Sequence, residues 1–396
     1  MLSIRVPVLV LLLTLCWVGI AVGAPLRNAD FLTGFPAEFE QAKGKGLAAI
    51  DALARKCVVS GLFKQARECA AEALKLKADD PTANEISGRV LVDKAWLTPA
   101  ERDAKYAQAN PGKLLWGAKY VTSAEMEELR KKERAKIGWE CDSYFSDQSG
   151  FVLHFKGPYD DAMSVRRLVE ATVRGWSSEF GTSVGMPRDA LSVHVFDKQQ
   201  EMSSFVARVT GQAASSPNVF DPKTLSSFVV FNQDNEMFSR DMVVEAVIRG
   251  ILGMLGENGD RTSLWFHYAF LYYFRIARDG PESIAHGFIR KYAPDLRTIA
   301  VETVAGDNMF DLKGLLSGGS AYFSDDPKSS RRAVSYAVFY IVNFEFQGLY
   351  KADFHAFLKA AFRGKCDYKA FSQAVKGLSV LEKELPALVA GLSFSD

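Results

Sequence analysis

The chain has 396 residues, 48 basic and 47 acidic side chains, and a net charge of +1. That balance leaves no electrostatic footprint for nucleic acid. A hydrophobic content of 48% fits an ordinary globular protein, and the length fits two domains or one large domain with an appendage.

In chain order, the first feature is a leader. A short basic start at 1–5 precedes a mostly apolar run over 8–22, and Ala21-Val22-Gly23 places small residues before a cut after Gly23. Residues 1–23 are therefore expected to be a signal peptide. An uncleaved membrane anchor is the alternative, because the apolar run approaches spanning length. No later segment is apolar enough to span. The mature chain is expected to be exported, to the periplasm or the extracellular space, with no membrane span after signal cleavage.

Residues 37–92 read as helical. The stretch from Ile50 to Leu76 resembles one tetratricopeptide unit, with Ala54 and Ala66 at the small positions where two helices approach and Gly61 at the turn. Asp79-Asp80-Pro81 is expected to start the next helix. One such unit cannot bury its face alone, so it must lean on a neighbouring helix or on the main domain. On ideal helices Cys57 and Cys69 are staggered by roughly 6 Å along axes roughly 9 Å apart. That is too far for a disulfide, and two buried thiols are expected. With Cys141 and Cys366 the mature chain has four cysteines, none in CxxC spacing, and whether Cys141 and Cys366 pair is open.

Residues 93–150 read as a charged, irregular surface connector with one helical run at 123–135. Ser123-x-x-Met126 is not a capping box, although Glu125, Glu127 and Glu128 suit that helix's start and Lys131, Lys132 and Arg134 its end. From Phe151 the pattern alternates: strand 151–155, helix 160–180, strand 191–196, helix 198–210 and strand 226–231. Two helices follow at 242–255 and 262–275, joined by a turn at 256–261. The remainder is mostly helical, at 335–344, 352–362, 368–376 and 379–391.

The pair of helices after the last strand carries the family resemblance. Zinc peptidases of the gluzincin type, the thermolysin-like group, place His-Glu-x-x-His on one helix and a third ligand, Glu, on the next. In this chain Val244-Glu245-Ala246-Val247-Ile248 stands at the first motif. The run from Trp265 to Phe274 stands at the second, with Tyr268 at the third-ligand position. The order of segments over 151–392 resembles the same family, so the chain is read as an α+β protein. An N-terminal helical hairpin precedes a degenerate gluzincin-like domain, with a mixed sheet and then an α-helical C-terminal part.

The resemblance implies a scaffold without its chemistry. Zinc requires N, O or S donors, and Val244 and Ile248 offer none. Only Glu245, at the general-base position, survives, so no metal, no cofactor and no catalytic residue is expected there. Arg249, four residues on, His267 and Tyr268 are expected to form a polar pocket around Glu245. The function expected is that of a catalytically inactive homologue binding a protein or peptide. The alternative is a hydrolase, peptidase or esterase, with a relocated site.

Other chemistry-bearing residues give no motif. Glu282 and His286 have i,i+4 spacing, which supplies two ligands and no catalytic site. His154 and His194 fall on strands and His355 on a helix, without a partner motif nearby. Gly-x-Ser-x-Gly and the glycine-rich phosphate loops are absent, and Gly318-Gly319-Ser320 reads as a loop. A Ser/His/Asp triad need leave no mark in sequence spacing.

Overall fold

The computed structural model describes residues 28–147, 150–256, 264–276, 299–304, 311–324, 330–376 and 378–390. The expected signal peptide, the turn at 257–261, and Glu282 and His286 lie outside the described residues. Among those described, no helix is long and apolar enough to cross a membrane. The protein is α+β, with N-terminal helices, a mixed sheet and a helical C-terminal part.

The N-terminal region begins earlier than expected. Helix α1 (Asn28–Lys45) precedes the hairpin of α2 (Leu47–Val59) and α3 (Phe63–Leu76), and α4 (Pro81–Ile86) follows. Asp80 caps α4 by accepting from the Ala83 amide at 2.9 Å, with Pro81 in the first turn. Ala54 and Ala66 are buried in the hairpin seam, and Gly61 makes the turn at φ +67°. Cys57 and Cys69 are unbridged and buried, as expected. Their thiols nevertheless meet in a hydrogen bond, closer than the ideal-helix stagger. That bond and burial push the Cys57 thiol up, so it stays protonated. Cys141 and Cys366 are also free.

Residues 90–137 are more ordered than a connector. They hold two consecutive copies of one unit, a two-residue hairpin followed by a helix. The first is β1 (Val90–Val92), β2 (Ala95–Leu97) and α5 (Pro99–Ala109); the second is β3 (Leu114–Trp116), β4 (Lys119–Val121) and α6 (Ser123–Ile137). The sequence repeats with them: Thr98-Pro99-Ala100-Glu101 and Thr122-Ser123-Ala124-Glu125 each close a capping box. The α6 box therefore starts one residue before Ser123, on Thr122.

Each copy takes a different anchor. Arg102 of α5 forks onto Glu170 at 2.6 and 2.8 Å, while Asp103 accepts from Arg102, Arg166 and Arg167. Burial raises the Asp103 carboxyl, but Arg166 and Arg102 outweigh it and hold the group below its usual range. In the second copy Gly117 donates to Tyr144 O at 2.7 Å, joining the hairpin to the main sheet.

That sheet has the order β5-β6-β7-β9-β8. Its strands are β5 (Ser143–Asp147), β6 (Phe151–Phe155), β7 (Leu191–Phe196), β8 (Asn218–Asp221) and β9 (Ser226–Val230). β6, β7 and β9 are parallel, and the two edge strands β5 and β8 run antiparallel to them. The alternating segments from Phe151 fall where expected, while the edge strands are additional. β5 joins this sheet although it precedes the expected boundary at 150.

Strand alternation sorts side chains to two faces. Phe151, Leu153, Val193, Val195 and Val229 join the main core under α7 (Tyr159–Trp176) and α9 (Glu236–Leu255). His194, Phe196 and Phe228 face a smaller cluster containing Met126 of α6 and Met202 and Phe205 of α8 (Gln199–Thr210). Helix α7 ends in a π-helical turn at Ser177–Gly181. Beyond α10 (Leu264–Ile276) and a helical stretch at 299–304 (α11) lie α12 (Leu312–Ser317), α13 (Ser320–Ser324) and the long α14 (Ser330–Gly348). The last three are α15 (Lys351–Ala361), α16 (Tyr368–Ala374) and α17 (Leu378–Ala390).

The N-terminal hairpin docks on α14. The Asn28 amide donates to Glu345 Oε1 at 3.0 Å, and a Cβ added at Gly61 would lie 2.8 Å from Cγ of Phe344. Gly61→Ala should therefore cost about 2 kcal/mol or more, from left-handed backbone strain together with the clash. Urea denaturation measures it; stability equal to wild type would contradict the docking.

Candidate functional site

Helix α9 lies close on the sheet because two of its residues lack side chains. A Cβ on Gly250 would come within 2.4 Å of Leu191, and one on Gly253 within 2.1 Å of Phe220. The Ser227 hydroxyl donates to the Ala246 carbonyl at 2.8 Å. Val244 and Ile248, four residues apart, fall on one face and are both 0% exposed in the main core.

Glu245 is buried, and its carboxylate is tied to Arg249. The guanidinium donates to Oε1 from Nη2 at 2.7 Å and from Nε at 3.1 Å. His267 of α10 approaches the same arginine. Burial first, and then the Arg249 charge, lowers its imidazole to about 4. Arg249 thus pairs with Glu245, and its charge acts on His267. Tyr268 is differently engaged: its ring packs against Phe323 at 5.0 Å, and Arg332 stands 4.6 Å from the ring centroid.

These residues do not fit a zinc ion. Of the three positions that the resemblance sets against zinc ligands, two carry buried aliphatic side chains and the third a phenol engaged by an aromatic ring and a cation. Among the described residues no group of three or more His, Cys, Asp and Glu is placed to hold a metal ion.

The aromatic run of α10 is core. Phe270 packs on Trp176 at 5.0 Å and Phe180 at 4.9 Å, Tyr273 on Phe339 at 5.3 Å, and Trp265 on Phe371 at 5.7 Å. These ring separations suit offset and edge packing, not an open stacking platform.

Two histidine clusters have partners that sequence spacing did not reveal. His154 and His194 are register neighbours on β6 and β7, with rings stacked at 4.7 Å. His154 Nε2 lies 3.0 Å from Glu133 Oε1, and His194 Nε2 lies 3.1 Å from Ser192 Oγ. Burial and His154 hold His194 well below its ordinary range. On α15, His355 sits between Ser183 and Asn343. Its Nδ1 is 2.6 Å from Ser183 Oγ, and its Nε2 is 2.9 Å from Asn343 Oδ1. The partners of His154 and His355 come from other segments, so no partner motif stands near these histidines in the sequence. Parallel register and a contact 172 residues apart leave no local motif.

No protein-family model matches the chain, and no curated protein matches it in sequence.

Two predictions follow from this geometry. First, the purified protein should carry no stoichiometric zinc by elemental analysis, and a chelator should leave its melting temperature unchanged. Tight zinc held at Glu245 would contradict the aliphatic packing of Val244 and Ile248.

The second concerns acid. His194, His267 and His355 all have folded-state values lowered from the ordinary 6.5, to about 4 for His267 and His355. Between these limits the unfolded chain binds more protons, so stability is full above about pH 6.5 and is lost as pH falls toward about 4. Denaturation midpoints should decline over that window, and His267→Gln should make the decline shallower. An equal slope in wild type and variant would remove His267 from the account.

Proposed function

We propose that this chain is a degenerate gluzincin-like protein, exported to the periplasm or the extracellular space, that binds a protein or peptide without zinc chemistry. The observation that carries the reading is the closure of the ligand positions: Val244 and Ile248 are 0% exposed, and Glu245 is neutralised by Arg249 at 2.7 Å. A helix pair retained on a mixed sheet, with apolar packing in place of ligands, keeps the scaffold while giving up the reaction.

The sheet supplies a means of binding. β8 is an edge strand, and the Val230 amide bonds to Pro217 O at 2.9 Å. Antiparallel alternation then turns the backbone groups of Asn218 and Phe220 away from β9. An extended segment can add to such an edge through main-chain hydrogen bonds. Phe220 is seated on Gly253, which couples the edge to α9.

Immobilised protein should retain one or more proteins from an exported fraction. Asn218→Pro, which removes an amide facing away from β9, and with it the local bond to Ser216 Oγ, but no β8–β9 ladder bond, should reduce that capture. Retention of nothing would overturn the binding reading, and equal retention by the variant would overturn the use of the β8 edge.

A further inference from the structure

A polar chain runs through an otherwise aromatic part of the core and ends at a cavity. Asn343 is 0% exposed, and His355 lies among Phe180, at 5.2 Å, and Phe354. Asn343 Nδ2 donates to Glu179 Oε1 at 3.5 Å, and Lys351 Nζ binds the same oxygen at 2.5 Å. Because Glu179 only accepts, it turns the amide so that Asn343 Oδ1 faces the imidazole. Oδ1 likewise only accepts, so the proton of neutral His355 resides on Nε2. The lone pair of Nδ1 therefore points to Ser183 Oγ, 2.6 Å away. Each member fixes the next, as nucleophile, base and orienting group must.

Ser183 is half-buried and lines a cavity of about 580 Å³ together with Gly348, Ala352, Ala356 and the two lysines, Lys351 and Lys359. It follows the π-helical turn Ser177–Gly181, a local widening that often accompanies functional positions. The small side chains leave room for a short acyl group, and Lys359 lines the same space, while Lys351 is paired with Glu179.

We propose that Ser183 and His355, positioned by Asn343, form a metal-free site that hydrolyses short-chain carboxylic esters. Ser183 Oγ forms a bond to the ester carbonyl carbon as its proton passes to His355 Nδ1. The tetrahedral adduct then expels the alcohol, which leaves with that proton. Water attacks the resulting acyl-serine, giving a proton to Nδ1, and the free acid departs as the proton returns to Ser183 Oγ. Atoms and charge balance with water as the only co-reactant. The site shares no residue with Glu245, Arg249, His267 or Tyr268, so its failure would leave the peptide-binding reading intact.

His355 also sets the pH response. Burial and the Lys351 charge lower its value to about 4 against the opposing pull of Glu179, so the base is free at neutral pH. The full chain should be treated with diisopropyl fluorophosphate and digested, and assayed in parallel with 4-nitrophenyl butyrate. The phosphoryl adduct is expected on Ser183, at a rate that is level above about pH 6 and falls as pH approaches about 4. Ser183→Ala, folded by circular dichroism, should lose the adduct and about 100-fold or more of the esterase rate. His355→Gln should slow both to a similar degree. No adduct on Ser183 of the folded wild type would overturn the proposal, as would ester hydrolysis undiminished in Ser183→Ala. If His355→Gln does not fold, the wild-type pH profile decides: a rate rising in proportion to hydroxide marks an unactivated serine and overturns it.

Discussion

The structure depends on the enclosure of α10. Its aromatic side chains meet Trp176 and Phe180 on one side, Phe339 of α14 on another, and Phe357 and Phe371 of the last helices on a third. Six of its residues from Trp265 to Tyr273 are buried, and at this density a change of one methylene is felt by several elements at once. That helix is a hub of packing. The same enclosure holds His267 against the Arg249 end of α9 and sets α14 and α15 at the separation that lets Asn343 reach His355.

Several buried charged groups of this core are paired. The Arg102–Asp103–Arg166–Glu170 group fastens α5 to α7, Glu133 satisfies one nitrogen of His154, and Glu245 is matched by Arg249. Each is a buried charge or imidazole whose isolation would cost several kcal/mol. The Ser183–His355–Asn343 chain differs because its end opens into a cavity, where the hydroxyl can meet something other than its own fold.

The central strands and their helices were legible because Val, Ile and Phe alternate there with turn residues between them. β5 and β8 were not. Ser143 and Asp147, and Asn218 and Asp221, bracket short edge strands whose polar composition blends with loops. The start of α6 at Ser123 was legible, but its capping box was not noticed, because it is Thr122, not Ser123, that has a glutamate, Glu125, three positions on. The Glu245–Arg249 pair was legible from i,i+4 spacing. Ser183, Asn343 and His355 were not, since three unrelated segments are brought together by tertiary packing alone.

The docking of the first helices on α14 has a consequence for synthesis. The Asn28–Glu345 hydrogen bond spans 317 residues, and Gly61 rests on Phe344. A chain emerging from the ribosome N-terminus first makes α1–α3 long before their seat exists. The two hairpin–helix units at 90–137, closed by local contacts, can form meanwhile, but the helices ahead of them cannot finish burying their surface. For most of its translation time, this protein therefore carries an uncovered helical face, and any chaperone that attends its birth has that face to hold.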